Sequence, residues 1–201
     1  MCSRVTKRPV FVFSDASIRP GDALQCFAFP DDYSFGILQS SVHWLWFITK
    51  CSKFKSDFRY TPESVFDTYP WPQFGFGVPA LAGQVSDKSK RPGLASAPPP
   101  EGGTPNKDAL AKITAVATAA RQVRRVRTEA LSEMKGGLRA LYRTLELPGA
   151  NPLKDAHAAL DAAVLAAYGF SAKKDLLAQL LELNLAVAQR LDKMYPSSVS
   201  R

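Results

Sequence analysis

The sequence is poor in the residues from which metal and nucleophile sites are built. It holds two histidines, His43 and His157, and three cysteines, Cys2, Cys26 and Cys51. No Cys-x-x-Cys pair occurs, and the cysteines are odd in number and far apart. That pattern argues against a disulfide framework or a zinc ribbon and fits a reducing cytosol. Neither histidine has a Glu-x-x-His partner, so each reads as a packed or capped side chain. His157 and Asp161 lie one helical turn apart, which predicts a local hydrogen bond between them.

Phosphate loops and nucleophile elbows are also missing. There is no Gly-x-Ser-x-Gly and no Walker-type loop. Phe74-Gly75-Phe76-Gly77 is a weak cofactor-loop pattern: it lacks a strand before it, a third glycine and a helix after it. The sequence therefore assigns no catalytic residue, no metal ligand and no cofactor-binding residue. Long apolar runs are absent too. Residues 37–48 are too short to cross a bilayer, which needs roughly 20 residues, and they include His43. The opening MCSRVTKRPVFVF has too short an apolar run for a signal peptide, and Asp15 interrupts its exit. A soluble, cytoplasmic protein with no membrane partner is expected.

What is present is a basic chain of 201 residues with an ordinary 46% hydrophobic content, a formal charge of +8 and a sequence pI near 9.5. A core is affordable, and an anionic partner is favoured. The fold class predicted is α+β in three parts. Residues 1–74 form a small mixed segment with short strands over Pro9–Phe13 and Ala23–Phe29 and one buried helix. That helix starts at Phe35 and runs past Ile48, and it is apolar nearly all round. Residues 75–107 are rich in Gly, Pro, Ser and Ala and read as a flexible linker.

Residues 108–195 read as a C-terminal helical bundle. Asn106 and Asn151-Pro152 open helices, Gly136-Gly137 ends or bends one, and Gly169 stops another. Leu110, Ile113, Val116, Ala120, Val123 and Leu131 form the stripe of the first helix. Leu176, Leu180, Leu183, Val187, Leu191 and Met194 form that of the last, with spacing suited to packing on another helix.

The one stretch with chemical character is Phe35–Gln73. Its apolar helix runs into a cationic loop and then the rigid quartet Tyr69-Pro70-Trp71-Pro72. Lys53, Lys55 and Arg59 can each neutralise a phosphate. Arg59 can also read guanine through two hydrogen bonds. Tyr60 can pack on sugar or base, and Ser56 and Thr61 can bond to phosphate or base edges. These six residues are the candidate DNA-binding set. The competing reading makes them solvated residues at a helix end, where cations suit the dipole.

Three segments resemble a known family. They are Ser40-Ser41-Val42-His43, Lys55-Ser56-Asp57-Phe58-Arg59-Tyr60-Thr61 and Asp67-Thr68-Tyr69-Pro70-Trp71-Pro72. They look like the target-recognition region of MmeI-like type IIG restriction–modification enzymes, large adenine-specific DNA methyltransferases with recognition fused to catalysis. There a helix leads into a K-S-D-[FY]-R-Y-[ST] loop and then F-P-W-P; Tyr69 stands here for the commoner Phe. The tail agrees: Leu141-Tyr142, Leu147-Pro148, the run from Ala156-His157 to Tyr168-Gly169, and Leu176–Asn184 resemble the family's C-terminal helices.

The family's cofactor loop, its Asn-Pro-Pro-Tyr motif and its nuclease motif are not in this sequence. The resemblance thus implies a C-terminal part of such an enzyme. It would bind double-stranded DNA and contribute sequence choice to a catalytic methyltransferase polypeptide. It would carry no cofactor itself, S-adenosylmethionine belonging to the parent family's base-flipping methyl transfer. Two other readings stand beside it: a helical protein–protein interaction module with an incidental basic loop, and a non-functional remnant with open strand edges.

Overall fold

The apolar stretch predicted as one helix forms two, because a serine interrupts it. A computed structural model of the protein describes residues 1–54, 57–74, 107–171 and 173–194. In it, α1 spans Asp32–Gln39 and α2 spans Ser41–Lys50. Between them Ser40 adopts extended backbone, φ −70° and ψ 161°. Its hydroxyl donates to the Ile37 carbonyl at 2.7 Å and accepts from the His43 N–H at 3.3 Å. One side chain thus satisfies an orphan carbonyl of the first helix and an orphan N–H of the second. Asp31 caps the start of α1 by accepting from the Ser34 N–H at 2.7 Å.

The strands are shorter than predicted and partly elsewhere. Chain order opens with β1 (Cys2–Ser3), β2 (Val5–Thr6) and β3 (Leu24–Gln25), and α2 is followed by β4 (Ser52–Phe54) and β5 (Asp57–Arg59). β1 pairs antiparallel with β3, and β2-β5-β4 form an antiparallel three-stranded sheet. Pro9–Phe13 is not a strand. The Phe11 N–H donates to the Gln39 side chain at 2.8 Å, and its carbonyl accepts from Arg127 at 2.8 Å. With both backbone groups taken by side chains, Phe11 has nothing left for a ladder. Of Ala23–Phe29 only Leu24–Gln25 pairs; Phe27 and Phe29 instead pack against Phe66 and Trp71.

The helical part follows local chemistry closely. α3 spans Lys107–Glu133, α4 Leu138–Arg143, α5 Pro152–Tyr168 and α6 Leu176–Met194. Asn151 caps α5, accepting from the Leu153 and Lys154 N–H groups at 3.0 and 3.4 Å. Gly169 ends α5 in the left-handed conformation at φ 69°. Gly136, at φ 137°, lies in the break between α3 and α4, and Gly137 opens α4. Of the segment 75–107 read as a linker, Lys107 begins α3 and residues 75–106, Asn106 included, lie outside the described residues. Leu110 and Leu191 depart from the predicted stripes, both being exposed.

A single cluster of buried side chains joins the two parts. Ile37, Val42, Trp46 and Phe47 from α1 and α2 belong to the same core as Val116, Ala120 and Val123 of α3 and Leu160 and Val164 of α5. Asp32 adds ion pairs to Arg124 at 2.5 Å and Arg121 at 3.4 Å. The mixed N-terminal segment is therefore built on the helices that follow it in sequence, not beside them.

Candidate nucleic-acid interface

β4 and β5 form a hairpin on the surface of this core. Ser52 stands opposite Arg59, Lys53 opposite Phe58 and Phe54 opposite Asp57. On the other flank of β5, Val5 stands opposite Arg59 and Thr6 opposite Phe58. Arg59 thus sits on the central strand with a neighbour on each side. Side chains alternate across a strand. Phe58 turns towards the core, where its ring meets that of Phe47 edge-on at 5.9 Å. Arg59 is exposed, as are Val5 and Ser52 across from it.

The same alternation takes Tyr60 inwards. Its side chain is 0% exposed, stacked on Phe47 at 5.5 Å, and its hydroxyl shares a hydrogen bond of 3.0 Å with His43 Nε2. Its backbone N–H donates to the Arg4 carbonyl at 2.7 Å, extending the β2–β5 pairing by one residue. Tyr60 is therefore a core residue, which corrects its assignment to the contact surface. Burial pushes its hydroxyl pKa well above the usual tyrosine value. A residue directly after an exposed strand position faces the other way, and only knowledge of the strand pairing reveals that.

The remaining candidates separate by position. Thr61 is half-buried, and its hydroxyl shares a hydrogen bond of 2.7 Å with Ser64 in the single π-turn of Pro62–Phe66. Its bonding capacity is turned to the loop. Lys53 lies on β4, one register position away from the Arg59 row. Lys55 and Ser56, which follow β4 in sequence, lie outside the described residues. Arg59 is the member of the predicted set that is both described in full and presented outwards.

The scaffold behind the sheet is buried and hydrogen-bonded. Trp46 donates through its indole N–H to the Val65 carbonyl at 3.1 Å. Tyr69 and Trp71 are buried. The Tyr168 hydroxyl donates to the Pro70 carbonyl at 2.9 Å and shares a hydrogen bond of 2.7 Å with the Tyr69 hydroxyl. Asn184 donates to the Thr68 carbonyl at 2.7 Å. The quartet at Tyr69–Pro72 is thus clamped by α5 and α6.

Both histidines are structural. His43 bonds to Tyr60, and His157 Nε2 shares a hydrogen bond of 2.9 Å with the Tyr142 hydroxyl. That hydroxyl also accepts from Arg127. The predicted bond from His157 to Asp161 does not form; Asp161 accepts instead from the Ser41 N–H. Burial lowers both histidine pKa values to about 3, with the charges of Arg127 and Arg8 adding to the effect at His157. Among the described residues no group of three or more His, Cys, Asp or Glu side chains could hold a metal ion. No described helix is long and apolar enough to cross a membrane.

Comparison with known proteins places this arrangement. A family model described as the MmeI target recognition domain matches residues 8–73. No curated protein matches the chain. Among solved structures, the type IIL restriction–modification enzyme MmeI in complex with DNA is similar in fold, with a TM-score of 0.53 and 23% identity. The match covers 79% of this chain and 16% of that one, so the chain spans about a sixth of the relative's length. The matched segment runs from the turn after β2 to the end of the clamped quartet, enclosing the hairpin, the paired helices and their aromatic core, so residues 8–73 are similar to an MmeI-type target recognition domain.

Proposed function

We propose that the chain recognises duplex DNA on behalf of an MmeI-like restriction–modification enzyme and does not itself transfer a methyl group. The observation that carries this reading is Arg59, exposed on the central strand of a three-stranded sheet, within the segment matched by the MmeI target recognition domain model, and backed by a packed aromatic core. A β-ribbon fits the major groove, and an arginine there bonds guanine O6 and N7 together. Lys53, Lys55 and Ser56 supply phosphate contacts and register. The chemistry resides on a catalytic methyltransferase polypeptide that binds S-adenosylmethionine; no cofactor or Asn-Pro-Pro-Tyr motif exists in this sequence. Cytoplasmic residence accords with that role.

A salt titration of duplex binding tests the reading. Affinity should fall steeply with salt, and Arg59→Ala should relax sequence preference by about 1–3 kcal/mol at the guanine it contacts. Methyl transfer from S-adenosylmethionine by the purified chain would overturn the non-catalytic part.

A second reading draws on α6. Leu185 is 59% and Leu191 52% exposed, and Leu181 is exposed beside them. This apolar surface favours a helical module that docks on a protein partner. Absence of DNA binding at low salt would select it.

A further inference from the structure

The sheet that carries Arg59 has a third strand, and that strand lies at the border of the matched recognition segment. β2 pairs with β5 on the side away from β4. Strands in a sheet lie about 4.8 Å apart, so β2 is roughly 10 Å from β4. The major groove is about 12 Å wide and accepts a two-stranded ribbon. With β4 and β5 in the groove, β2 falls at its wall, where the phosphates are.

The cations around β2 differ in what they do. The Arg4 guanidinium donates to the Asp22 carbonyl at 3.0 Å and ties β2 to the loop before β3. Arg8 lies over the Trp44 ring at 5.2 Å and over the Tyr142 ring at 5.6 Å, tying the chain to α2 and α4. Lys7, between them, is exposed in the bend after β2 and makes no hydrogen bond or ion pair among the described residues. Its long stem and compact ammonium suit a phosphate held as a point charge, without base reading.

We propose that β2 is the rim of the DNA-reading sheet and that Lys7 clamps a backbone phosphate there, while Arg59 on the neighbouring strand reads a base. This rests on the DNA-recognition reading above and adds a division of labour within the sheet. Phosphate contacts carry affinity and salt dependence but no sequence information; base contacts carry the preference.

The test uses the full chain and a pool of short duplexes of randomised sequence. Binding is measured across a salt series, and bound sequences are recovered and compared. Lys7→Gln should weaken binding several-fold for every sequence, leave the recovered preference unchanged, and make the slope of log affinity against log salt shallower by about 1. Arg59→Ala should instead blur the preference. Thermal melting of Lys7→Gln should match the parent, since its side chain is exposed.

If Lys7→Gln leaves affinity and salt slope untouched while Arg59→Ala weakens binding, the rim role falls and DNA recognition stands. If Lys7→Gln changes the recovered preference, Lys7 reads a base and the proposed division is wrong. If the parent chain binds no duplex at low salt, the recognition reading falls, and this proposal with it.

Discussion

The Asp161 carboxylate on α5 accepts a hydrogen bond of 2.8 Å from the Ser41 backbone N–H across 120 residues of sequence. It thereby caps α2 from outside, beside the internal cap supplied by Ser40. Burial raises the Asp161 pKa, while the Ser41 bond and the nearby Arg8 charge act against that rise. A carboxylate at a helix N-terminus also meets the positive end of the helix dipole. This contact couples α2 to the helices that support it. Asp161→Ala should lower unfolding free energy by about 1.5–3 kcal/mol, the range for a hydrogen bond to a charged group. Asp161→Asn retains an acceptor and should lose less. Urea denaturation of the two variants measures the difference.

Gly36 sets how closely α1 approaches α3. A Cβ built there would lie 2.9 Å from Val116 Cγ1, 3.0 Å from Ala120 Cβ and 3.3 Å from Leu160 Cδ1. All three neighbours are fully buried and lack room to withdraw. Gly36→Ala would ordinarily favour a helix by about 1 kcal/mol. Here overpacking should dominate, at about 1–3 kcal/mol destabilising. A melting temperature below that of the parent checks the sign; a rise would mean that the helices can part freely.

Features governed by neighbouring residues were legible in the sequence. Asn151-Pro152, Gly136-Gly137 and Gly169 act within one turn of themselves, and the structure has them opening and closing helices as read. Ser40 was not legible, because apolar spacing continues through it and hides a cap in the middle of a stripe. β1 and β2 are two residues each, too short for alternation to register, and they exist only through their distant partners. The exposure of Arg59 and the burial of Tyr60 follow from that pairing. So does the loss of the Pro9–Phe13 strand, whose central backbone groups are claimed by Gln39 and Arg127 from far along the chain. The family motif was readable at Lys55–Thr61, yet a motif does not say which of its residues face outwards.

The two buried histidines make stability depend on pH in a defined window. His43 is 0% exposed and His157 6% exposed, and both are held to a pKa of about 3 against an ordinary 6.5. In the folded chain they stay neutral well below the pH at which the unfolded chain takes up protons. The unfolded state therefore binds more protons between these limits, and stability falls as pH drops through 6.5 towards 3. Each histidine should remove about 2 kcal/mol between about pH 7 and about pH 5. Asp67 and Asp161 have raised pKa values, so they act in the opposite sense as they protonate at lower pH. The upper part of the window therefore reports the histidines most cleanly. Urea midpoints at the two pH values should differ accordingly. His157→Gln, measured at both, should lose about half of that difference whatever its own stability. An unchanged difference would show that His157 is protonated in the folded protein, with Tyr142 and Arg127 rearranged around it.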